Sequence, residues 1–236
     1  MKIYINALTV NSIKILLLCN AQKIKADFEL IALDKGEQRE ADFLAINRDG
    51  KVPVLVNDEL TLTESNAILH YLSAKFKSDL WPLTLIEQAK VLRTLFWQSN
   101  YFNSGVAPIA HRKVVMPFWG FDSPNIEAKQ MTKFHHSLSE LENILIENKF
   151  VSGNSMTIAD ISLSAFFIFS EQANMPLQTY PFVQAWLRNI SMKNWFTDTR
   201  QALVDSLSSV YSNQYFKPQS NQSAIYTDTC IYIRGK

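Results

Sequence analysis

The sequence is poor in the residues that interrupt or cross-link a chain. Only 6 Gly, 8 Pro and 2 Cys occur among its 236 residues, while 47% of the residues are hydrophobic. Collagen-like, low-complexity and disordered chains are rich in Gly and Pro or poor in apolar residues, so the composition excludes these classes. It favours a globular fold with enough sequence for one large core or two small ones.

The two cysteines, Cys19 and Cys230, lie far apart along the chain. Two cysteines cannot build a disulfide framework or a four-ligand metal site, so we expect a reducing cytoplasm as the compartment. No pair of His or carboxylate residues has the spacing of metal ligands. We therefore expect no metal.

An excess of charge of one sign is also lacking, because the formal net charge is +1. Proteins that bind phosphate backbones carry dense basic surfaces, so we expect no nucleic acid partner. The longest apolar runs, at residues 13–19 and 161–169, are much shorter than the ~20 residues that span a bilayer. The first residues lack the small-residue cleavage pattern of a signal peptide. We expect no membrane segment.

Hydrophobic periodicity predicts a mixed α/β arrangement at the start of the chain. The predicted order is β-α-β-α-β-β-α. Strands are predicted at 2–7, 28–31, 52–56 and 60–62, and helices at 13–20, at 41–46 and from Glu64 or Ser65 through Leu72.

The stretch 78–84 breaks the helical pattern at the Trp81-Pro82 step and is the predicted linker. The chain after it is predicted to be helical, with long amphipathic stretches at 86–103 and 126–146. The predicted domains are therefore 1–78 and an all-helical 85–211. Residues 212–236 form an extension of unknown role, in which partial alternation near Ile225 and Ile231 is compatible with an extra strand.

A helix start is predicted at Thr157, before the most apolar helix of the chain. Thr157 can accept a hydrogen bond from a first-turn amide, while the Asp160 carboxylate can reach back to the cap amide. This capping box predicts a role in folding and none in binding or catalysis.

Four segments resemble the glutathione transferase family. They are residues 7–17, residues 34–55 ending in KVPVL, residues 62–72 with ESNAI, and the SMTIAD cap at 155–160. KVPVL followed closely by ESNAI is specific in this order, whereas each segment alone is weak. The resemblance covers about residues 1–205. It implies a thioredoxin-like N-terminal domain that binds glutathione as co-substrate, an all-α C-terminal domain, and a homodimer.

The resemblance also implies a glutathione site. In similar proteins the bond before Pro53 is cis, and the backbone of Val52 pairs with the cysteinyl part of glutathione as an added strand would. Ser65 at a helix N-terminus suits the γ-glutamyl carboxylate and Glu64 its ammonium group. Gln38 and Lys51 match positions that bind the glycyl end. From the residues alone, Pro53 can also be a strand-initiating proline, Ser65 a plain helix cap and Lys51 a solvated surface residue.

Family members activate the thiol with a Tyr, Ser or Cys just after the first strand, and here that position is Thr9, with Asn11 two residues on. A hydrogen bond to sulfur at a helix N-terminus favours the thiolate, so Thr9 is the predicted principal donor and Asn11 its support. Turn and capping chemistry is the alternative for both. Ser12 is the expected helix cap.

The Thr-x-Asn pattern resembles bacterial nu-type transferases, which favour disulfide reduction with glutathione. Two alternatives to conjugation therefore stay open, namely a glutathione-dependent disulfide reductase and a non-catalytic ligand-binding member. The leading prediction is attack of a glutathione thiolate on a small hydrophobic electrophile. Tyr101, Phe102 and His111 are the predicted pocket residues for that substrate, although aromatic residues at helical spacing also suit a core.

Overall fold

A computed structural model describes residues 1–122, 125–211, 223–227 and 230–234, with side chains described as far as Leu207. Its first part is a mixed sheet flanked by helices. The elements are β1 (Lys2–Ile5), α1 (Val10–Ala21), β2 (Asp27–Leu30), 3-10 turns at Leu33–Lys35 and Glu37–Arg39, α2 (Ala41–Ile46), β3 (Val54–Val56), β4 (Thr61–Leu62) and α3 (Ser65–Lys75).

β1 lies at the centre of these four strands. It pairs in parallel with β2 and antiparallel with β3, and β4 pairs antiparallel with the far side of β3. A parallel pair needs a crossover connection, and α1 supplies it between β1 and β2. The predicted order of strands and helices in this part, and the thioredoxin-like fold class, are confirmed.

The second part is helical, as predicted. It begins with one long rod in which α4 (Leu85–Trp97), α5 (Asn103–Ala110) and α6 (Met116–Phe118) are joined by π-helical turns at Gln98–Phe102 and His111–Val115. Then follow α7 (Ala128–Glu147), α8 (Ile158–Ser164), a 3-10 turn at Ala165–Phe167, α9 (Pro181–Ser191) and α10 (Asn194–Tyr211). Among the described residues, no helix combines the length and apolarity needed to cross a bilayer.

The core is centred on α1, in which every residue from Ser12 to Cys19 is buried. This explains why residues 13–19 are apolar except for Lys14. α1 packs on α3 from the first part and on α8 and α10 from the second. One cluster of buried side chains therefore extends across both parts. The division into domains at residues 78 and 85 stays a prediction.

The predicted capping box is confirmed. The Asp160 carboxylate accepts from the Thr157 amide at 2.8 Å, and the Thr157 hydroxyl accepts from the Ala159 amide at 3.3 Å. The carboxylate also accepts from the Val151 amide and from the Trp186 indole, at 3.1 and 3.0 Å. It thus ties α8 to the preceding turn and to α9.

The end of the chain is described only for two strands, β5 (Ser223–Thr227) and β6 (Cys230–Arg234). They form an antiparallel pair, and β5 is aligned antiparallel to β2 with Ala224 opposite Phe28. The remaining residues of the predicted 212–236 extension lie outside the described residues.

Candidate active site

The N-terminus of α1 is capped by Thr9, not by Ser12 as the sequence analysis expected. The Thr9 hydroxyl lies 3.1 Å from the Asn6 carbonyl oxygen and 2.8 Å from the Ser12 hydroxyl oxygen, and it accepts from the Ser12 amide at 3.4 Å. α1 already begins at Val10, so Ser12 is its third residue and its amide is one of the donors that Thr9 caps. Because a hydroxyl has one proton, the proton of Thr9 is already used inside this turn.

Asn11 is the second residue of α1 and is exposed. Its Oδ1 accepts from the Ser65 hydroxyl at 3.2 Å, and the Ser65 oxygen in turn lies 3.4 Å from Lys14 Nζ. The Ser65 hydroxyl proton is donated to Asn11, so towards Lys14 the Ser65 oxygen is the acceptor. This fixes the orientation of the Asn11 amide. Its Nδ2 donors have no partner among the described residues and lie at a cavity.

α3 begins directly after Glu64, which has φ +66° and ψ 111°. A left-handed φ is costly for a residue other than glycine and is typically kept where a site needs it. No described side chain caps α3, so no cap accepts a hydrogen bond from its first-turn amides. Free amides and the positive end of the helix dipole favour an anion at this point. Ser65 itself is buried.

The Val52–Pro53 peptide bond is cis, as the resemblance implied. β3 begins only at Val54, and no hydrogen bond of the Val52 backbone is found within the described part of the chain. The Val52 backbone is therefore available to an added strand.

The Gln38 backbone lies close to Gly50, the residue before Lys51. Gly50, with φ +60°, packs so closely that a Cβ at its position would come within 2.8 Å of the Gln38 carbonyl oxygen. Lys51 is exposed, and its carbonyl accepts from Asn47 at 2.8 Å. The Gln38 side-chain oxygen is buried without a hydrogen-bond partner in the described structure. A buried acceptor without a partner is costly, so a ligand donor at this point would be stabilising.

A cavity of about 280 Å³ opens beside the α1 N-terminus. Thr9, Asn11 and His111 all lie at its surface, so the structure brings these three predicted residues together. Most of the lining is apolar and comes from α5, the second π-helical turn and the segment after α8. The lining residues are Leu8, Thr9, Val10, Asn11, Asn103, Ala107, Pro108, Ala110, His111, Val115, Ala165, Phe166, Ile168 and Phe169.

Tyr101 and Phe102 are not among the residues that line this cavity, so their place in the substrate pocket stays a prediction. Phe102 is 0% exposed and packs against Trp97, Phe166 and Phe167, whereas Tyr101 is 66% exposed. Both residues lie in a π-helical turn, whose wider spacing changes the face that each side chain occupies.

His111 stands at the start of the second π-helical turn, with its ring edge-on to Trp119 at a centroid distance of 6.0 Å. Burial, and to a smaller extent the positive charge of Arg112, lower the pKa of His111 below its usual 6.5. The imidazole is therefore neutral at pH 7 and offers one donor and one acceptor.

Sequence reasoning missed Lys14 and most of the cavity wall. Lys14 falls within the apolar run 13–19, which the sequence analysis treated only as a buried helix. The residues of the wall, such as Asn103 and Phe169, are far apart in the chain and meet only through packing. Burial raises the pKa of Cys19 to about 12, which keeps this thiol protonated and unreactive. In the described residues no group of three or more His, Cys, Asp or Glu side chains could hold a metal ion.

Two family models match this chain. "Glutathione S-transferase, N-terminal domain" matches residues 1–74, and "Glutathione S-transferase, C-terminal domain" matches residues 110–189. Glutathione S-transferase T1 of Arabidopsis thaliana is 32% identical over 201 residues, which cover 80% of this chain and 82% of the relative. The chain belongs to the glutathione S-transferase family. Its function is accordingly that of a glutathione transferase.

Solved structures of glutathione S-transferases have the same fold. Glutathione transferase F7 from Populus trichocarpa gives a TM-score of 0.77 at 27% identity, covering 85% of this chain and 97% of its own. Human glutathione transferase theta-2, solved in complex with glutathione, gives a TM-score of 0.78 at 21% identity. The match covers 92% of this chain and 93% of the human chain. The thioredoxin-like part and the helical part are therefore those of the glutathione S-transferase fold.

Proposed function

We propose that this transferase binds glutathione from the Val52 backbone to the α3 N-terminus, ionises its thiol with Asn11, and presents the thiolate to an apolar electrophile in the 280 Å³ cavity. The observation that carries the proposal is the unpartnered Asn11 amide at the cavity surface, held in place by Ser65. A free thiol has a pKa of about 8.5, so a donor to sulfur increases the thiolate fraction at neutral pH.

The hydrogen bonds favour Asn11 over Thr9 as the principal donor, the reverse of the order predicted from the sequence. Thr9 would have to give up a bond to Asn6 or Ser12 before donating to sulfur. Asn11 gives up nothing, because its Oδ1 is engaged and its Nδ2 is free. Thr9 remains important as the N-cap, since it fixes the turn that carries Asn11.

The amino-acid end of glutathione is assigned to the start of α3. Its carboxylate can accept from the uncapped first-turn amides, and the Glu64 carboxylate can pair with its ammonium group. In the free protein the Ser65 proton is given to Asn11, so backbone amides are the main donors to the ligand. The Val52 backbone takes the cysteinyl part, and Gln38 and Lys51 take the glycyl end. The complex of the human theta-2 relative with glutathione supports glutathione as the co-substrate.

The second substrate is assigned to the cavity because its lining is mostly apolar. The polar groups at its surface are Thr9, Asn11, Asn103 and His111. A small hydrophobic electrophile with one polar group matches this surface, with His111 or Asn103 available to that group. The nu-like Thr-x-Asn pattern keeps a small disulfide as the second substrate to be tested.

Two parallel assays test this assignment. Turnover with reduced glutathione is measured with a chlorinated aromatic electrophile and, separately, with a small disulfide. Conjugation that saturates with the electrophile supports the proposal. Disulfide reduction without conjugation assigns the site to the reductase, and binding of glutathione with neither reaction assigns it to a non-catalytic member.

We also propose a homodimer formed through the outer face of α4. Leu85, Ala89, Leu92 and Phe96 follow the i, i+4, i+7, i+11 spacing, so they form one apolar stripe on the helix. Leu85 is 82% exposed and Phe96 is 64% exposed, while the opposite face buries Val91 and Leu95. A continuous exposed apolar stripe is typical of an interface, and a second copy provides a self-complementary one.

Phe96→Asp is expected to convert the dimer into a monomer. Burying an unpaired carboxylate at a two-fold interface costs several kcal/mol, since each copy contributes one charge. Sedimentation velocity at micromolar concentration measures the change. Met192→Asp is the control, because Met192 is 81% exposed but lies at the end of α9. A wild-type monomer, or equal dissociation by both variants, contradicts the proposed interface.

A further inference from the structure

Lys14 is a buried cation next to the predicted glutathione site. It is 1% exposed, and it lies on α1 one turn after Asn11. Lysine is almost never fully buried without partners, because removing an ammonium group from water is costly. A buried lysine in an otherwise apolar helix therefore calls for a specific reason.

The partners of Lys14 come from helices on both sides of the predicted domain boundary. Nζ lies 2.8 Å from Gln98 Oε1, 3.3 Å from Asn66 Oδ1 and 3.4 Å from the Ser65 hydroxyl oxygen. Ser162 from α8 adds bonds to Asn66 at 3.0 Å and to Gln98 at 3.1 Å. All of these partners are neutral. The amine is thus surrounded by dipoles, and no carboxylate of the described residues is directly hydrogen-bonded to it.

The location of this charge is the informative feature. Ser65 and Asn66 are the first two residues of α3, so Lys14 lies directly behind the uncapped amides of that helix. Nζ is 3.4 Å from the Ser65 hydroxyl oxygen and 3.3 Å from Asn66 Oδ1, so an anion bound at the start of α3 would be close to this charge. In a partly buried site, two opposite charges this close interact strongly.

We propose that Lys14 is the positioning cation of the glutathione site, and that binding of the γ-glutamyl carboxylate at α3 is coupled to uptake of a proton by the Lys14 amine. The inference rests on the proposed function, because it assigns a regulator to the same α3 site. It adds a pH dependence that belongs to the protein and not to the thiol of glutathione.

The charged surroundings of Lys14 are simple. Burial lowers the pKa of Lys14 to about 7, and the nearby Glu64 carboxylate raises it by a smaller amount. From the other elements packed around it come neutral groups: Asn11 and Ser12 of α1, Gln98 after α4, Ser162 of α8, and the Phe166 ring, whose centroid is 5.5 Å from Nζ. The group that α10 presents to α1 is also neutral, since the Thr199 hydroxyl accepts from Asn20. The amine is therefore mostly neutral at pH 8 in the free protein and is able to take up a proton.

Proton linkage gives the direction and the size of the proton uptake on binding. An anion at the start of α3 favours the protonated amine of Lys14, and we expect its protonation constant to rise roughly 10- to 100-fold. The site then takes up about half a proton or more on binding at pH 8. The affinity gained from the charge is present at pH 6.5 and is lost as pH rises towards 9.

Calorimetry with S-methylglutathione tests the inference, because the sulfur of this ligand has no proton to lose. Titrations at pH 8 in two buffers with different ionisation enthalpies give the number of protons taken up. The ligand amine contributes equally to every variant. The proton uptake of Lys14 is therefore the uptake measured with wild type minus that measured with Lys14→Gln. We expect wild type to take up about half a proton more, and to bind roughly tenfold more tightly at pH 6.5 with the advantage shrinking by pH 9.

Two further variants separate positioning from packing. Lys14→Arg keeps a permanent charge, so between pH 6.5 and pH 9 its affinity should change only as the affinity of Lys14→Gln does, through the ligand amine. Ser162→Ala removes bonds of the same buried network without removing its charge, and it should keep wild-type proton uptake. No net proton uptake by wild type at pH 8 overturns the inference even if Lys14→Gln does not fold. Equal uptake by wild type and Lys14→Gln overturns it while leaving glutathione binding intact, whereas absence of any binding to wild type overturns the proposed function itself.

Discussion

Asn11→Ala is expected to lower kcat/KM for conjugation by about 100-fold, because removing a single donor from a developing or stored negative charge typically costs 10²- to 10³-fold. Ser65 would keep its place, since it is buried and also bonded to Lys14. The loss should therefore appear with little change in the affinity for S-methylglutathione. Initial rates at varied glutathione and electrophile concentrations measure it.

Asn11→Asp and Thr9→Ala are the matched variants. Asn11→Asp keeps an oxygen to accept from Ser65 but replaces the amide donor with a negative charge, so its loss should exceed that of Asn11→Ala. Thr9→Ala removes the cap of α1 and should cost about 0.5–2 kcal/mol of stability. Thr9→Ala should lose less activity than Asn11→Ala. The opposite ranking, with Thr9→Ala inactive and Asn11→Ala near wild type, restores the order predicted from the sequence.

Asp160→Ala is expected to lower the free energy of unfolding by about 3 kcal/mol or more, the range for leaving several buried donors unpaired. The amides of Val151 and Thr157 and the indole of Trp186 would lose their acceptor. Asp160→Asn keeps one oxygen for two of these donors and should cost less. Urea denaturation measures the stabilities.

The control for this effect is Asp198→Ala, which removes an exposed carboxylate from α10. Exposed substitutions of this kind usually change stability by less than about 0.5 kcal/mol. If Asp160→Ala is no more damaging than Asp198→Ala, the capping box does not hold α8 in place. Activity per folded molecule should be unchanged in both, because neither residue lies at the cavity.

Local features allowed the sequence to predict the first part of the fold. The strand and helix order, the helix start at Ser65 and the capping box at Thr157 all depend on neighbouring residues, and all three are found. The cis bond at Pro53 followed from the resemblance and not from the spacing. These features repeat over short distances, so periodicity and motif were sufficient to identify them.

The sequence is least informative where function depends on tertiary contacts or on irregular helix. Phe102, which is predicted to line the pocket, is fully buried in a π-helical turn. Lys14 was hidden in an apolar run, because nothing nearby in sequence reveals that Gln98 and Ser65 surround it. The preference for Asn11 over Thr9 could be seen only once the single proton of each hydroxyl had been assigned.

The most direct test of the account is the pKa of the glutathione thiol when it is bound to the protein. The ultraviolet absorbance of the thiolate, followed against pH with wild type, Asn11→Ala and Thr9→Ala, measures it. We expect the wild-type protein to lower the thiol pKa by about two units from its free value near 8.5, and Asn11→Ala to restore most of that value. A bound thiol that titrates as it does in water, or that is equally acidic with and without Asn11, would contradict the account.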